Sequence, residues 1–213
     1  MDWNFEILSA PQRHKLLSGL VVPRPIALVT TVGASGVVNA APFSFFNVLG
    51  EDPPALVISI GHREGSGVAA GEQGGSLKDT ARNIVETGEF VVHLVDEAIT
   101  ERMHGCSLKF PPEVSEVERV GFTTAPSRTV RPPRIVEAPV AMECTLHSRV
   151  PLGNHDLYIG RIAWLHVRDG LVEPDSLRVR LEDYHAVGRL SGSRYARTDD
   201  RFSIDVNAYA PKS

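Results

Sequence analysis

The sequence predicts a mainly β fold with a few flanking helices, in which an antiparallel sheet closes into a barrel. About six short runs combine β-branched, apolar and aromatic residues, and turn residues such as Asp169-Gly170 separate them. Few stretches of the 213 residues have the apolar spacing of a helix. We therefore expect one domain over residues 1–213, built mostly from hairpins.

Composition excludes several classes of protein. A hydrophobic content of 42% with 23% charged residues is typical of a globular chain and not of a disordered one. The net charge of −4 predicts no nucleic-acid partner, and no apolar run is long enough to cross a bilayer, so no membrane association is expected. The first residues lack the basic and apolar regions of a secretory signal, and a cytoplasmic location is expected.

Cysteine and histidine usage predicts no metal site. Cys106 and Cys144 are too few for a disulfide framework and have no CxxC spacing, so both are expected to be reduced thiols. The eight histidines are scattered and form no HExxH or HxH motif.

Residues 1–20 are expected to be a helical or irregular lead-in. Leu16, Leu17 and Leu20 have helical spacing and are predicted to pack on the barrel. Arg24 follows in an extended stretch between two prolines. Its interpretation as a surface salt bridge is favoured over a contact with a phosphate or a ligand edge.

A predicted hairpin opens the sheet. Residues 26–32 form a short, β-rich strand, residues 33–36 a turn with two glycines, and Val37-Val38 begins the return strand.

The next stretch, residues 39–46, has the sequence NAAPFSFF, which is unusual for a buried strand. Pro42 is expected to end the ladder pairing. Small residues allow a close approach to the backbone, and Asn39 and Ser44 lie on either side of aromatic rings. This mixture suits a flat heteroaromatic ligand with a polar edge. A strand edge that turns into a core-packed loop is an equal alternative.

A strand at residues 55–60 is expected to lead through a loop at 65–75 into a helix. Ser76 is its predicted N-cap and Gly88 its C-terminal stop. Its predicted apolar face consists of Ala81, Ile84 and Val85.

The start of this helix is a candidate phosphate site, because its free N–H groups and positive dipole end favour anions. Lys78 would add a charge and Thr80 a hydroxyl, and Arg63 follows the preceding strand. Taken alone, these residues fit a capped surface helix better.

The middle of the chain is less regular. Residues 90–95 form the next predicted strand, with His93 in a structural role. Residues 96–134 are expected to contain short helices near 98–104 and 114–120, and to act as a flap over a ligand or as a dimer arm.

Two further strands complete the predicted sheet. Residues 139–147 alternate cleanly, so that Cys144 is expected in the core and Glu143 on the opposite face. A turn at residues 153–155 and a strand through residue 167 predict a hairpin.

The C-terminal part is expected to end in a tight turn. Within residues 184–197, glycines beside Arg189 and Tyr195 suit a turn that delivers polar groups to a site, or that packs the last strand. Residues 198–213 are predicted to be a loose tail.

Several separated motifs together resemble the flavin reductase-like family, the FMN-binding split barrels, and look closest to its flavoredoxin-type branch. The motifs are VPRPIALVTT, NAAPFSFF, Asp52-Pro53-Pro54, Lys78-Asp79-Thr80, Gly153-Asn154-His155 and Arg189-Leu190-Ser191-Gly192. They cover residues 16–197 in the family's order. The resemblance implies a split barrel with flanking helices and a homodimer that holds FMN near the subunit interface.

The resemblance also implies the site residues. The FMN ring and its edge would be bound by Thr30, Thr31, Asn39, Ala40, Ala41, Ser44 and Phe45. The phosphate would be bound by Ser59, Arg63, Lys78, Thr80 and Asn83, with Asp79 orienting the helix start. A nicotinamide donor would be steered by Asn154 and His155, with His155 as the catalytic candidate and Arg189 as a further substrate-binding residue. Asn154 stands where the family usually has aspartate, which puts the dinucleotide preference in doubt.

The implied function is that of an FMN-dependent oxidoreductase, an NAD(P)H:flavin reductase with NADH or NADPH as donor. Reduced flavin would serve a partner monooxygenase or a small acceptor. Two alternatives stay open: an FMN-binding electron carrier, and an FMN- and oxygen-using biosynthetic enzyme that acts directly on an organic substrate.

Overall fold

Eleven strands occur in the computed structural model, which describes residues 1–63 and 76–205. The predicted loop at 65–75 and the end of the predicted tail, residues 206–213, lie outside the described residues. The strands are β1 (Ala27–Val32), β2 (Val38–Phe43), β3 (Phe46–Glu51), β4 (Pro54–Gly61), β5 (Glu89–Leu94), β6 (Thr124–Ala125), β7 (Arg134–Ile135), β8 (Val140–Leu152), β9 (His155–Val167), β10 (Val187–Arg189) and β11 (Tyr195–Arg197).

Seven of these strands form one antiparallel sheet in the order β2-β1-β5-β8-β9-β4-β3, while β6 with β7 and β10 with β11 form two small ribbons. In the described part of the chain β2 and β3 do not pair with each other, so the hydrogen-bonded ladder stays open between them. The mainly β fold with flanking helices and the split barrel are thereby confirmed. The full closure expected from strand counting alone is wrong.

In the described residues, four helices accompany the sheet: α1 (Ala10–Leu20), α2 (Asp79–Thr87), α3 (Thr100–Gly105) and α4 (Glu116–Arg119), with 3₁₀ turns at Glu97–Ile99 and Leu181–Asp183. Helix α1 confirms a helical lead-in, but its leucines do not pack as predicted. Leu17 and Leu20 are 46% and 72% exposed, and only Leu16 is half-buried. The buried residue of α1 is Ser18, whose carbonyl accepts a hydrogen bond from Arg24 Nη1 (2.6 Å).

Helix α2 begins two residues later than the predicted cap suggests. Lys78, with extended backbone, occupies the N-cap position, so the prediction of Ser76 is wrong. Gly88 ends the helix with φ 71, a left-handed conformation that glycine adopts without strain, as predicted. The buried face consists of Thr80, Ala81, Asn83 and Ile84, whereas the predicted Val85 is 42% exposed. The face is partly polar because the helix start covers polar ends of β1 and β2.

Strand β2 continues past the position where pairing was expected to stop. Pro42 lies opposite Leu28 and Phe43 opposite Ala27 in the β1–β2 register. A proline is tolerated there because β2 is an edge strand, whose outer N–H groups need no partner strand.

The buried side chains form two main clusters on opposite faces of the sheet. Ala27 and Val29 of β1 face the barrel interior, where Phe90 and Tyr158 pack, and the intervening Leu28 faces the outer cluster. Both faces of strand β1 are therefore buried.

Residues 96–134 build the outer cluster. Ile99, Met103, Val117 and Phe122 are all buried against the outer face of the sheet. The thiol of Cys106 lies in the same cluster, and burial, followed by the nearby Glu116 carboxylate, raises its pKa to about 12, which makes it a poor nucleophile. This segment therefore has a core of its own; its role as flap or dimer arm stays a prediction.

Strand β8 carries one clear departure from the predicted alternation. Cys144 is buried as predicted, but Glu143 is fully buried as well. Its carboxylate accepts hydrogen bonds from the backbone N–H groups of Arg128 (2.7 Å) and Thr129 (2.6 Å) and from the Thr129 hydroxyl (2.6 Å). The Oε1 atom that accepts from Arg128 also lies 2.6 Å from His166 Nε2. The loop before β7 covers this face, which a strand pattern alone does not reveal.

Candidate functional site

A groove of about 320 Å³ lies where α1, the β2–β3 turn, β4, the start of α2 and β9 meet. Its lining within the described residues consists of His14, Ser18, Arg24, Pro42, Phe43, Ser44, Phe45, Ser59, Gly61, Lys78, His155, Arg189, Leu190 and Gly192. Six of the predicted site residues are in this set: Ser44, Phe45, Ser59, Lys78, His155 and Arg189. The lining contains three permanent cations and no carboxylate, although the chain carries a net charge of −4.

Phe45 is the central aromatic side chain of the groove. It lies in the two-residue connection between β2 and β3, and its carbonyl accepts the N–H of Ser59 (2.8 Å), which fixes the turn against β4. The His14 ring centroid is 5.9 Å and the His155 ring centroid 6.1 Å from that of Phe45. Three planar rings from α1, the turn and β9 therefore follow one another along the groove.

His155 begins β9 directly after the turn of the β8–β9 hairpin, where Gly153 has φ 60. Asn154 Oδ1 lies 3.0 Å from His155 Nδ1, and the Asn154 carbonyl accepts the N–H of His62 at 3.0 Å. With Nδ1–H donating to Asn154, Nε2 is left as an acceptor. A Cβ on Gly61 would lie 3.1 Å from this Nε2, so glycine gives the ring its space.

The pKa of His155 is lowered from its usual value. Burial is the largest cause, followed by the positive charges of Lys78, His62 and His14. The imidazole is therefore neutral at pH 7 and presents one donor and one acceptor.

The start of α2 places a cation, Lys78, at the groove. Lys78 lines the groove, and its neighbour Asp79 accepts hydrogen bonds from Arg63 Nη2 (2.7 Å) and from Arg82. Arg63 also donates to the Leu77 carbonyl (3.1 Å). The Asp79 carboxylate is thus paired with two guanidinium groups. Arg63 and Asp79 are not among the groove-lining residues.

Four predicted cofactor residues contact one another beneath α2. Asn39 Nδ2 donates to Thr80 Oγ1 (2.9 Å), and Asn83 Nδ2 donates to Thr31 Oγ1 (3.0 Å). A Cβ on Gly33 would lie 2.7 Å from Asn83 Oδ1, so the turn requires glycine for this approach. The network joins β1 and β2 to the helix start and so positions Lys78.

Thr30, Ala40 and Ala41, which were also predicted to bind the cofactor, are not among the groove-lining residues. Thr30 is buried on the outer face, where its hydroxyl donates to the Pro133 carbonyl (2.7 Å). The N–H of Ala40 donates to Glu116 Oε2 (3.0 Å), and Ala41 is half-buried beside it. A single strand presents alternate residues to opposite faces, so these neighbours cannot all face one ligand.

Arg24 is the main groove residue whose interpretation was wrong. It is 7% exposed and forms no salt bridge with a carboxylate of residues 1–63 or 76–205. Its guanidinium donates to the carbonyls of Ser18 (2.6 Å), Val21 (2.7 Å) and Leu190 (3.1 Å). It also donates to Ser44 Oγ (3.3 Å). The two flanking prolines were the available signal, because they hold Arg24 in an extended conformation that directs it inward.

Other lining residues gave no signal in the sequence. His14 and Ser18 lie on a helix that was expected only to pack, and Gly61 is the last residue of strand β4. Leu190 and Gly192 belong to the predicted C-terminal turn, which the β10–β11 hairpin confirms.

No helix of the described residues is both long and apolar enough to span a membrane. Residues 1–63 and 76–205 contain no cluster of three or more histidine, cysteine or acidic side chains arranged to hold a metal ion.

The open seven-stranded sheet and its cationic, aromatic groove define a class, the flavin-binding split barrels. Residues 18–188 match the family model of the flavin reductase like domain. The chain therefore belongs to the flavin reductase-like family of flavin-dependent oxidoreductases, as its motifs predicted.

Three solved structures illustrate the relationship. The chain is 39% identical to the 2-nitrobenzoate 2-nitroreductase NbaA of Pseudomonas fluorescens, with a TM-score of 0.87 and coverage of 100% of both chains. It is 34% identical to nitrilotriacetate monooxygenase component B from Bacillus cereus, with a TM-score of 0.87 over 96% of this chain and 98% of that chain. Flavoredoxin of Desulfovibrio vulgaris (Miyazaki F) shares the fold, with 18% identity and a TM-score of 0.74 over 99% of this chain and 100% of that chain.

Proposed function

We propose that this protein is an FMN-dependent NAD(P)H:flavin reductase that supplies reduced flavin to a partner monooxygenase or a small acceptor. The observation that carries the proposal is the groove, which combines cationic and hydroxyl groups with a row of aromatic rings. Its volume of about 320 Å³ is at the lower end of the range for small-molecule sites, which favours a mononucleotide over FAD. The similarity to a monooxygenase component B favours a partner of that kind.

The residues present fit FMN. Lys78 at the α2 N-terminus, with Ser59 on the neighbouring strand, would bind the phosphate, because a helix start and a cation both favour an anion. Phe45 would contact the ring and Ser44 its polar edge. Thr31, Asn39, Thr80 and Asn83 would support these contacts by fixing the helix start. When bound, FMN would supply the hydride chemistry.

His155 would position the nicotinamide donor. Its neutral ring offers Nε2 as an acceptor, which fits the N–H of a carboxamide. Asn154 holds the ring in this tautomer by accepting from Nδ1–H (3.0 Å). The neutral Asn154 would therefore act by orienting the His155 ring. An aspartate at residue 154 would add a negative charge to the donor site.

The test is anaerobic stopped-flow absorbance of the FMN-loaded protein mixed with NADH and, separately, NADPH. We expect rapid loss of the flavin band with at least one donor and a loss of about tenfold to a hundredfold in rate for His155→Ala. His147→Ala is the matched control, because His147 is exposed on β8 and does not line the groove. Bound flavin that neither nucleotide reduces would refute the reductase proposal.

A second candidate is an FMN enzyme that acts directly on an organic substrate. Two arginines of the groove favour it, because Arg24 and Arg189 line the groove from elements other than the α2 start that carries Lys78. The similarity to a 2-nitrobenzoate 2-nitroreductase points the same way. An electron carrier is the remaining alternative, which tight FMN without NAD(P)H oxidation would select.

We further propose that the chain is one flavin reductase-like domain over residues 1–213 that works as a cytoplasmic homodimer. Strand β3 supports the dimer, because it is an edge strand with Val48 and Leu49 exposed at 62% and 55%. Natural proteins rarely leave such an edge uncovered. Sedimentation equilibrium tests this: a monomer at micromolar concentration would contradict it, and Val48→Lys should shift a dimer toward monomer.

A further inference from the structure

Two arginines that line the groove are neighbours because of a backbone bridge. Arg24 N–H donates to the Arg189 carbonyl (3.0 Å), and Arg189 N–H donates to the Arg24 carbonyl (2.8 Å). Residues that exchange both bonds lie directly opposite each other in an antiparallel pair, with both side chains on the same face. A Cβ on Gly188 would lie 2.4 Å from Pro23 Cβ, so glycine is required for this close approach.

Like charges directly opposite each other destabilise a strand pair. The proximity of Arg189 lowers the pKa of Arg24, after burial as the larger cause. Neither guanidinium forms an ion pair with a carboxylate among residues 1–63 and 76–205, and none of the groove-lining residues is acidic. Arg24 is instead held by carbonyls and Ser44, and Arg189 by the Tyr195 hydroxyl and the Gly192 carbonyl. Both charges are oriented by neutral acceptors and have no described counter-ion.

An aromatic surface adjoins this pair. The Arg24 guanidinium carbon lies 5.8 Å from the centroid of Phe45, and the rings of His14 and His155 flank that phenyl group. Aromatic side chains offer a planar ligand a large contact area at defined geometry. The groove thus combines a cationic end with a flat apolar wall.

We propose that Arg24 and Arg189 form an anion subsite that binds the carboxylate of an aromatic acid, the substrate or acceptor of the enzyme. A guanidinium binds a carboxylate through charge-assisted, often bidentate hydrogen bonds, which gives orientation as well as affinity. The inference deepens the proposed function by naming a substrate class, and it rests on that proposal only for the identification of the groove as the reactive site.

The test measures binding of benzoate and of its neutral isostere benzamide to the FMN-loaded protein by isothermal titration calorimetry. We expect benzoate to bind more tightly than benzamide. Arg189→Gln should weaken benzoate about tenfold to a hundredfold, the range for a lost charged hydrogen bond, and change benzamide less than twofold. Arg189→Lys, which keeps the charge, should retain the preference for benzoate.

Arg197→Gln is the matched control, because Arg197 lies on the same hairpin but points outward to Glu97. Arg189 is chosen over Arg24 because the buried Arg24 also binds the carbonyls of α1, so its loss would affect folding. Equal binding of benzoate and benzamide, or equal effects of Arg189→Gln and Arg197→Gln, would overturn the proposal.

Two further titrations distinguish a carboxylate from a phosphate as the anion. If Arg189→Gln weakens FMN or nicotinamide mononucleotide as much as it weakens benzoate, the pair binds a phosphate and the proposal is wrong. Failure of the reductase function would be a separate result. If NADH and NADPH leave the flavin oxidised while benzoate binding still depends on Arg189, the reductase proposal is refuted and the anion subsite is supported.

Discussion

Replacing Glu143 by glutamine should destabilise the protein strongly at pH 7 and much less in acid. Burial alone would raise the pKa of this carboxyl group. The hydrogen bonds from His166, Thr129 and Arg128 outweigh that effect and lower the pKa to about 2 from a usual 4.5. Because the folded pKa lies below the unfolded one, the carboxylate stabilises the fold fully above pH 4.5. That stabilisation is lost as the pH falls through the interval down to about 2.

The size of the effect follows from this difference in pKa. It corresponds to roughly 3 kcal/mol of stability at neutral pH and to less than half of that at pH 3. Glutamine cannot replace the carboxylate, because its NH₂ group would face an N–H donor of Arg128 or Thr129. We therefore expect Glu143→Gln to lose about 3 kcal/mol at pH 7 through an unsatisfied, buried polar group.

Urea unfolding at pH 7 and pH 3 measures this, with the midpoint and slope fitted at each pH. Glu86→Gln is the control, since Glu86 is exposed on α2, and its midpoint should change little at either pH. An equal loss of stability for Glu143→Gln at both pH values would show that the ionised form is not the cause. A loss below about 1 kcal/mol at pH 7 would refute the role of the carboxylate as a hydrogen-bonding centre.

Two other substitutions test packing and the site. Gly160→Ala places a Cβ 2.4 Å from Phe90 Cζ in the barrel interior and should lower the free energy of unfolding, measured in urea, by about 1–3 kcal/mol. The control is Gly19→Ala, whose Cβ would have no neighbour within 4 Å, so that its stability should be unchanged or higher. Asn154→Asp replaces the amide oxygen that lies 3.0 Å from His155 Nδ1 by a carboxylate oxygen. The negative charge should raise the pKa of the His155 imidazole, which is measured from the pH dependence of its NMR signals. An unchanged imidazole pKa would contradict the proposed pairing of residues 154 and 155.

The sequence was most informative where local rules and a motif acted together. Strand β1, the turn before β2 and the glycine that ends α2 follow from β-propensity, turn chemistry and the left-handed φ of Gly88. Ser44, Phe45, Lys78 and His155 were found as a set only through the family's motifs, and the groove brings them together.

Two of the predictions failed because of contact with a distant segment. Glu143 alternates like a surface residue, but the loop at residues 128–129 covers it. Arg24 resembles an exposed charge until the C-terminal turn supplies Leu190 as a partner 166 residues away. No local pattern records such a partner.

The sequence by itself determined the fold family and the strands β1, β2, β4, β5, β8 and β9, since hydrophobic period, turn residues and ordered motifs are local properties of the chain. Only the tertiary structure decided which polar groups face the groove and which face one another. The Arg24–Arg189 pair is the clearest case, because two like charges far apart in sequence become neighbours through one backbone bridge. Their electrostatic cost, and the anion that would offset it, exist only after the chain has folded.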